Sequence, residues 1–266
     1  MTIIQAIILG IIEGVTEFLP ISSTGHMILV SKLFGISDAD FTKSFEIVIQ
    51  FGAILAVVVL YWKKLFLGAG IWKKVLTAFL PTAVIGFFLY KILKQYLLGN
   101  AGLVLWSFFL GGVLLILFEL WYKSNLHHKP QSFENCGIDE MSYKNSFLIG
   151  LAQSLAIIPG VSRSGATIVA GLLMGISREA IVEFSFLLAI PTMAVATGYD
   201  LLKSASSFTF GEFHILVIGF VVSFLVAMLS IKWFIGYIKN HSFISFGIYR
   251  IVVAIVFYFI IFKFKI

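Results

Sequence analysis

Charge, cysteine and the marks of a soluble domain are scarce in this chain. Charged residues make up 12% of its 266 positions and hydrophobic residues 60%, with a mean hydropathy of +1.04. So little charge over so much apolar sequence excludes a soluble globular domain and places the chain among polytopic membrane proteins. A single cysteine, Cys136, rules out an internal disulfide, and it lies in the most polar loop. The N-terminus has no basic start, and Glu13 and Glu17 follow its apolar stretch directly, so no signal peptide is expected. The net charge of +6 would suggest nucleic acid as the partner of a soluble protein. In a membrane protein it is the Lys and Arg excess that cytoplasmic loops carry, so membrane lipid is the expected surrounding and nucleic acid is not a partner.

What the chain does have is one polar pattern written twice. At a constant offset of 140 residues, Gly10 pairs with Gly150, Glu13 with Gln153, Ser22 with Ser162 and Gly25 with Gly165. The register continues from Gly35-Ile36-Ser37 to Gly175-Ile176-Ser177. An internal repeat of this kind sets the architecture.

Apolar segments fall at about 3–34, 45–62, 75–97, 102–122, 146–176, 181–202, 212–237 and 244–262. Six of them have the ~20 residues that cross a hydrocarbon core of ~30 Å, and a backbone in lipid satisfies itself as helix. The two that carry the repeat differ. A helix over 3–19 is interrupted by Pro20 and the polar run Ser22 to His26. The apolar piece beyond it, 27–34, reaches only ~12 Å. The second copy runs 146–158, breaks at Pro159-Gly160 and resumes over 166–176. Each reads as a helix–break–helix hairpin, tolerated at membrane depth only inside protein or beside a wet cavity.

The expected fold is therefore an all-α integral membrane protein: six transmembrane helices plus two re-entrant helical hairpins in a single membrane domain, 1–266. Repeat 1 covers about 1–122, a linker loop 123–145, and repeat 2 about 146–266. Three spans per repeat is an odd number, so the halves insert oppositely. That predicts an inverted-topology repeat with the hairpin tips meeting near the midplane. One face carries Lys63, Lys64, Lys73, Lys74, Lys123, Lys129, Lys144 and Lys239; the other carries Lys32, Lys43, Lys203, Lys263 and Lys265, with Lys91 and Lys94 near it. The bias puts loops 63–74 and 123–145 in the cytoplasm and the first hairpin's mouth outside. The linker, with His127, His128, Glu134, Asp139 and Glu140, reads as solvated.

Glu13 and Glu17 are four residues apart and share a helix face. A carboxylate at the bilayer centre costs at least about 2.5–3.5 kcal/mol, and two repel, so a metal, an arginine or protons must offset them. A gating or helix-packing pair is the plainer alternative. After the Pro20 break, Ser22, Ser23, Thr24 and Gly25 open a new helix whose first N–H groups point outward and attract anions. Ser162, Arg163, Ser164, Gly165 and Thr167 repeat the device. Capping accounts for the hydroxyls but not for Arg163. The repeat is chemically asymmetric: the first copy holds the acids and His26, whereas the second has Gln153 and Ile157 in the acid positions and supplies Arg163.

Together these residues contain a guanidinium fork suited to phosphate, a hydroxyl nucleophile and a histidine that titrates near neutrality. They also contain carboxylates able to hold a divalent cation. That is a phosphoryl-transfer set. The candidate catalytic residues are Glu13, Glu17, Ser23, His26 and Arg163. Ser22, Thr24, Gly25, Ser162, Ser164, Gly165 and Thr167 are candidates for phosphate binding, and Glu13 and Glu17 for the cation. Glu46, Gln50 and Gln153 are candidate cavity-lining residues. Glu183, His214 and His241 are expected at the interface, and Asp200, Lys232 and Arg250 near span ends, paired or snorkelling. The rival function is a lipid-carrier flippase or proton-coupled transporter, for which inverted repeats with broken helices are a common architecture.

The stretches Glu13-Gly-Val-Thr-Glu17-Phe-Leu-Pro-Ile-Ser-Ser-Thr-Gly-His26 and Pro159-Gly-Val-Ser-Arg163-Ser-Gly-Ala-Thr167 resemble the bacterial undecaprenyl-diphosphate phosphatase (bacitracin-resistance) family. Phe45-Glu46-Ile-Val-Ile-Gln50 and Glu183-Phe-Ser-Phe-Leu-Leu-Ala-Ile-Pro191 also look familial. The resemblance spans essentially the whole chain, with no departure at a motif position. It implies removal of the terminal phosphate of undecaprenyl diphosphate, a lipid carrier recycled for peptidoglycan and other wall polymers. It further implies six spans with re-entrant hairpins, dependence on Mg2+ or Ca2+, and a site opening outward from the bacterial cytoplasmic (inner) membrane. The family's functional acid pair, serine, histidine and arginine fall on Glu13, Glu17, Ser23, His26 and Arg163. Either Ser23 or a water it positions is then the nucleophile. A homo-oligomer is compatible with the sequence.

Overall fold

The computed structural model describes residues 1–37, 39–92, 100–126, 136–204 and 212–264. Lys94, His127, His128, Lys129, Glu134 and Lys265 lie outside the described residues, as do the side chains of Lys91, Asp200, Lys203 and Lys263. Among the described residues all the regular secondary structure is helical, apart from an isolated bridge between Cys136 and Ile176. Six helices are long and apolar enough to cross a membrane: α3 (Asp40–Leu60), α5 (Ala69–Ile92), α6 (Ala101–Leu126), α9 (Arg178–Ser204), α10 (Phe213–Ile238) and α11 (Ile244–Phe264). A short α4 (Trp62–Leu67) links α3 to α5.

The repeat-bearing segments are broken helices. The first is α1 (Ile3–Thr16), a turn, then α2 (Ser23–Leu33). The second is α7 (Tyr143–Gln153), a 3-10 turn over Ser154–Ile157, then α8 (Arg163–Leu173). Helices α2 and α8 have the same length, 11 residues, and begin and end at the repeat offset. Their N-caps match: the Ser22 side chain accepts from the Gly25 N–H, and the Ser162 side chain from the Gly165 N–H. Their C-termini match too. Gly35 and Gly175 take φ of +65° and +79°, and Ile36 N–H and Ile176 N–H reach back to the carbonyls of Ser31 and Gly171. This is the Schellman closure that glycine permits at no Cβ penalty.

The two segments also exchange partners. Helix α1 packs on α10, and α7 on α5, while α6 pairs with α11. Small residues allow the close approach. On α1, Gly10 and Gly14 face Gly219 and Ser223 of α10; on α7, Gly150 presses on the Ala78 carbonyl of α5. The Ser230 hydroxyl of α10 donates to the Val15 carbonyl at 3.0 Å, satisfying a group that the end of α1 leaves without a helical partner.

One end of the bundle gathers the basic loops. There Lys64 pairs with Glu183, Arg178 with Glu119 at 2.8 Å and Lys239 with Glu179 at 3.9 Å. Lys74 donates to the carbonyls of Ile138 and Asp139. Glu183 thus sits at that end. Lys232, His214 and His241 are exposed.

Candidate active site

Both breaks follow from their prolines, which remove a backbone donor and bias the preceding residue away from helix. The strain is greatest at Ser22, whose φ of +68° is the only positive value for a non-glycine among the described residues. Such a conformation persists only where the surroundings hold it, and it concentrates at functional sites. Here it turns the chain so that Ser23 opens α2 directly after the Glu17 turn.

The breaks meet in the interior. The Ser164 and Ser162 hydroxyls both donate to the Leu19 carbonyl, at 2.7 and 3.4 Å. Arg163, the first residue of α8, reaches back across the junction. Its Nη2 lies 2.7 Å from Glu17 Oε1, and its Nη1 donates to the Ser185 carbonyl at 2.8 Å. The other Glu17 oxygen, Oε2, accepts the Ser23 hydroxyl. One carboxylate of the first repeat therefore joins a guanidinium from the second to a hydroxyl at a helix N-terminus. Glu17 and Ser23 are buried, so the chain of contacts operates where water screens it little.

Glu13 lies one turn before Glu17 and is fully buried. Neither of its carboxylate oxygens, nor the Nε of Arg163, has a hydrogen-bond partner among the described residues. Buried polar groups are normally satisfied. An orphaned acceptor pair beside an orphaned guanidinium donor suits a ligand that brings both cation and anion. Among the described residues no group of three or more His, Cys, Asp or Glu could hold a metal. Glu13 and Glu17 are the carboxylates that could hold a divalent cation there, since magnesium is commonly bound by one or two carboxylates with phosphate oxygens and water completing its shell.

His26 is buried one turn into α2. Its Nδ1 is 2.7 Å from the Ser22 carbonyl and its Nε2 is 2.9 Å from the Tyr249 hydroxyl. Ser22 serves as the cap, Thr24 is half-buried, and Gly25 is held against the Phe108 ring. Gly165 is half-buried at the cap of α8. Thr167 donates to the α8 backbone and meets the Ser185 hydroxyl at 2.7 Å. The hydroxyls of Ser162, Ser164 and Thr167 are thus engaged within the protein.

Three other expected positions have hydrogen-bond partners or surroundings of their own. Glu46 accepts from the Ser31 hydroxyl at 2.5 Å, and Gln50 is half-buried one turn further along α3. Gln153 donates to Thr82 and Thr192 at 2.9 and 3.2 Å. Those threonines each follow a proline inside a span, Pro81 and Pro191, so Gln153 bridges the two proline-bearing helices.

Of the two alternatives expected for Arg250, pairing or snorkelling, the structure shows pairing, with backbone carbonyls as the partners. Arg250 is 4% exposed. Its guanidinium donates to the carbonyls of Ser107, Gly160 and Pro20 at 2.8, 3.0 and 3.4 Å, and its Nε to Phe108 at 3.4 Å. It binds carbonyls of both breaks at once. Sequence reading also passed over Tyr249 and Ser185. For Tyr249 and Arg250 the available signal was an ionisable residue inside an apolar span, which is a functional candidate by default; Ser185 carries no such signal.

A six-span helical membrane protein with an acid, hydroxyl and guanidinium buried where two helix breaks meet is the class that fold and site define. The family model of bacitracin resistance protein BacA matches residues 6–256, and the chain belongs to that family. It is similar to the undecaprenyl-diphosphatase of Sulfurihydrogenibium sp., 53% identical over 258 residues that cover 97% of this chain and 99% of the relative. It is also similar to that of Aquifex aeolicus, 51% identical over 257 residues, covering 97% and 98%. That of Campylobacter jejuni subsp. jejuni serotype O:23/36 is 49% identical over 258 residues, covering 97% and 94%.

Proposed function

We propose that this chain is an undecaprenyl-diphosphatase: it hydrolyses undecaprenyl diphosphate to undecaprenyl phosphate and inorganic phosphate. Its action returns the lipid carrier to cell-wall synthesis and confers bacitracin resistance. The observation that carries the reading is the contact of Arg163 and Ser23 with the two oxygens of Glu17, supported by relatives that bear this activity in their names.

Arg163, its fork held by Glu17 and the Ser185 carbonyl, takes the terminal phosphate through its free Nε–H, and the first amides of α2 and α8 add partial positive charge. Glu17 accepts the Ser23 proton as the serine oxygen, or a water held in its place, bonds to the terminal phosphorus. The bond from that phosphorus to the bridging oxygen breaks, and undecaprenyl phosphate leaves. On the serine route, water then hydrolyses the phosphoserine. His26 moves a proton to or from the phosphate oxygens. Glu13 and Glu17 would hold a magnesium or calcium ion, whose charge offsets that of the diphosphate. Ser162, Ser164 and Thr167 fix the second break, so direct phosphate contact falls to Arg163 and the helix amides.

The same reading takes the chain as one membrane domain with an inverted repeat, 1–122 and 146–266 around the 123–145 linker, and with the broken helices as re-entrant hairpins. The matched caps of α2 and α8 and the exchanged packing of α1 on α10 and α7 on α5 support it. It sits in the bacterial inner membrane, with the lysine-rich end in the cytoplasm and the site opening outward.

Purified protein in detergent, given a prenyl diphosphate and magnesium, is expected to release inorganic phosphate. A flippase or transporter has no gradient or leaflet to work across in a micelle, so absence of release would favour that rival. Trapping a phosphorylated Ser23 after rapid quench would select the serine route over direct water attack.

A further inference from the structure

We infer that Tyr249 is a positioning residue for His26: its hydroxyl holds the Nε2 lone pair and takes up the hydrogen bond that Nε2 donates once the ring is protonated. The inference rests on the proposed hydrolysis for its kinetic consequence, but not for its geometry.

The His26 ring is defined by its contacts. Nδ1 lies 2.7 Å from the Ser22 carbonyl. A carbonyl can only accept, so Nδ1 carries the hydrogen and the neutral ring presents its lone pair at Nε2. The Tyr249 hydroxyl, 2.9 Å away, donates to that lone pair. The rings stack with centroids 5.6 Å apart and 18° between planes, and Phe108 closes the other side edge-on at 5.0 Å. Tyr249 is fixed in turn, because the adjacent Arg250 is bound to carbonyls of both breaks.

Exposure then decides the direction of traffic. His26 is 6% exposed and Tyr249 42%, so the imidazole is the enclosed member of the pair and the phenol covers its Nε2. With Nδ1 held by the backbone, any proton that joins or leaves His26 does so at the nitrogen facing Tyr249. When Nε2 gains a proton, its new N–H donates to the phenol oxygen and the phenol hydrogen rotates away. His26 gains one proton, Tyr249 loses none, and the hydrogen bond reverses. Phenylalanine would keep the stack and could do neither.

The test compares Tyr249→Phe with the wild type in detergent, and His26→Ala with the double variant. Loss of a hydrogen bond to a charged group predicts a kcat reduced roughly 10- to 100-fold, with KM nearly unchanged. In the His26→Ala background the same change is expected to have no further effect. Ethoxycarbonylation of His26 by diethyl pyrocarbonate, followed by peptide mass spectrometry, is expected to accelerate in Tyr249→Phe, because the lone pair is released. A Tyr249→Phe protein with wild-type kcat, an unchanged His26 modification rate, or an equal further loss in the His26→Ala background would overturn the inference. If the wild type releases no phosphate, the hydrolase reading fails, while the modification rates still decide the contact.

Discussion

Arg163 and Glu17, 146 positions apart in the chain, meet at 2.7 Å, and the guanidinium keeps a second hold on the Ser185 carbonyl. Both side chains are little exposed, at 11% and 4%. Removing one partner of such a pair leaves a buried uncompensated charge, at a cost of about 3–5 kcal/mol. Glu17→Gln is therefore expected to lower the melting temperature in detergent and to reduce phosphate release by at least ~100-fold. Arg163→Lys keeps the charge but cannot span Glu17 and Ser185 together, so it is expected to fail as well. A Glu17→Gln protein with undiminished kcat would remove Glu17 as the acceptor of the Ser23 proton.

Arg250 plays a different part. It touches four carbonyls, two of them at the breaks, and contacts no acid in the site. Arg250→Leu strands those carbonyls in the interior, at about 1–3 kcal/mol for each left unsatisfied. The expected result is a large fall in thermal stability, with activity lost in step with folding. Arg250→Lys, which can reach fewer of them, should fall between. Full activity in Arg250→Leu at its normal melting temperature would show that the breaks hold each other without this pin.

The breaks themselves were legible because proline and glycine announce them, and because the copies have equal spacing. The six spans were legible from length and hydropathy. Helix starts were less so: α3 begins at Asp40, five residues before the apolar run, because Thr42, Lys43 and Ser44 continue the helix beyond it. What sequence could not show was the demand made by backbone carbonyls. Ser162 and Ser164 read as donors for a ligand, yet the Leu19 carbonyl, freed by the other break, takes both. Arg250 read as a span-end cation because the carbonyls it serves lie 90 to 230 positions away. Gln153 aligned with Glu13 and so read as cavity-lining. Its partners, Thr82 and Thr192, sit beside intrahelical prolines that hydropathy does not mark.

Helix contacts make a graded test. A Cβ on Gly150 would run into the Ala78 backbone carbonyl, which cannot rotate aside, whereas one on Gly10 meets the Gly219 carbonyl at 2.8 Å. A Cβ on Gly236, within α10, meets nothing. Gly150→Ala should therefore cost about 1–3 kcal/mol or more, Gly10→Ala less, and Gly236→Ala should be neutral or stabilising by up to ~1 kcal/mol. Melting curves in one detergent would rank the three. Equal effects at all three would mean that α7 does not press on α5 as described.

The orphaned oxygens of Glu13 bear on the metal. If Glu13 and Glu17 hold the cation, a chelator should abolish phosphate release and added magnesium should restore it. Glu13→Gln should raise the half-saturating magnesium concentration by ~10-fold or more, since it removes a charged oxygen from a shell with only two protein carboxylates. An unchanged magnesium requirement in Glu13→Gln would move the cation elsewhere and leave Glu13 a proton carrier.

Orientation can be read from the chain's single cysteine. Cys136 is half-buried at the lysine-rich end, bridged to Ile176. Burial, and then the charge of Glu140, push its thiol above its ordinary value against the smaller pull of Lys74. The thiolate is the reactive form, so labelling should be slow at neutral pH and speed up by about tenfold per unit as pH rises toward the thiol's own value. If the lysine-rich end is cytoplasmic, a membrane-impermeant maleimide should spare Cys136 in intact cells and label it in inverted vesicles at pH 8.5. Glu140→Gln should make that labelling faster by lowering the thiol's pKa. Labelling from outside intact cells would reverse the assigned orientation, and the site would then open inward.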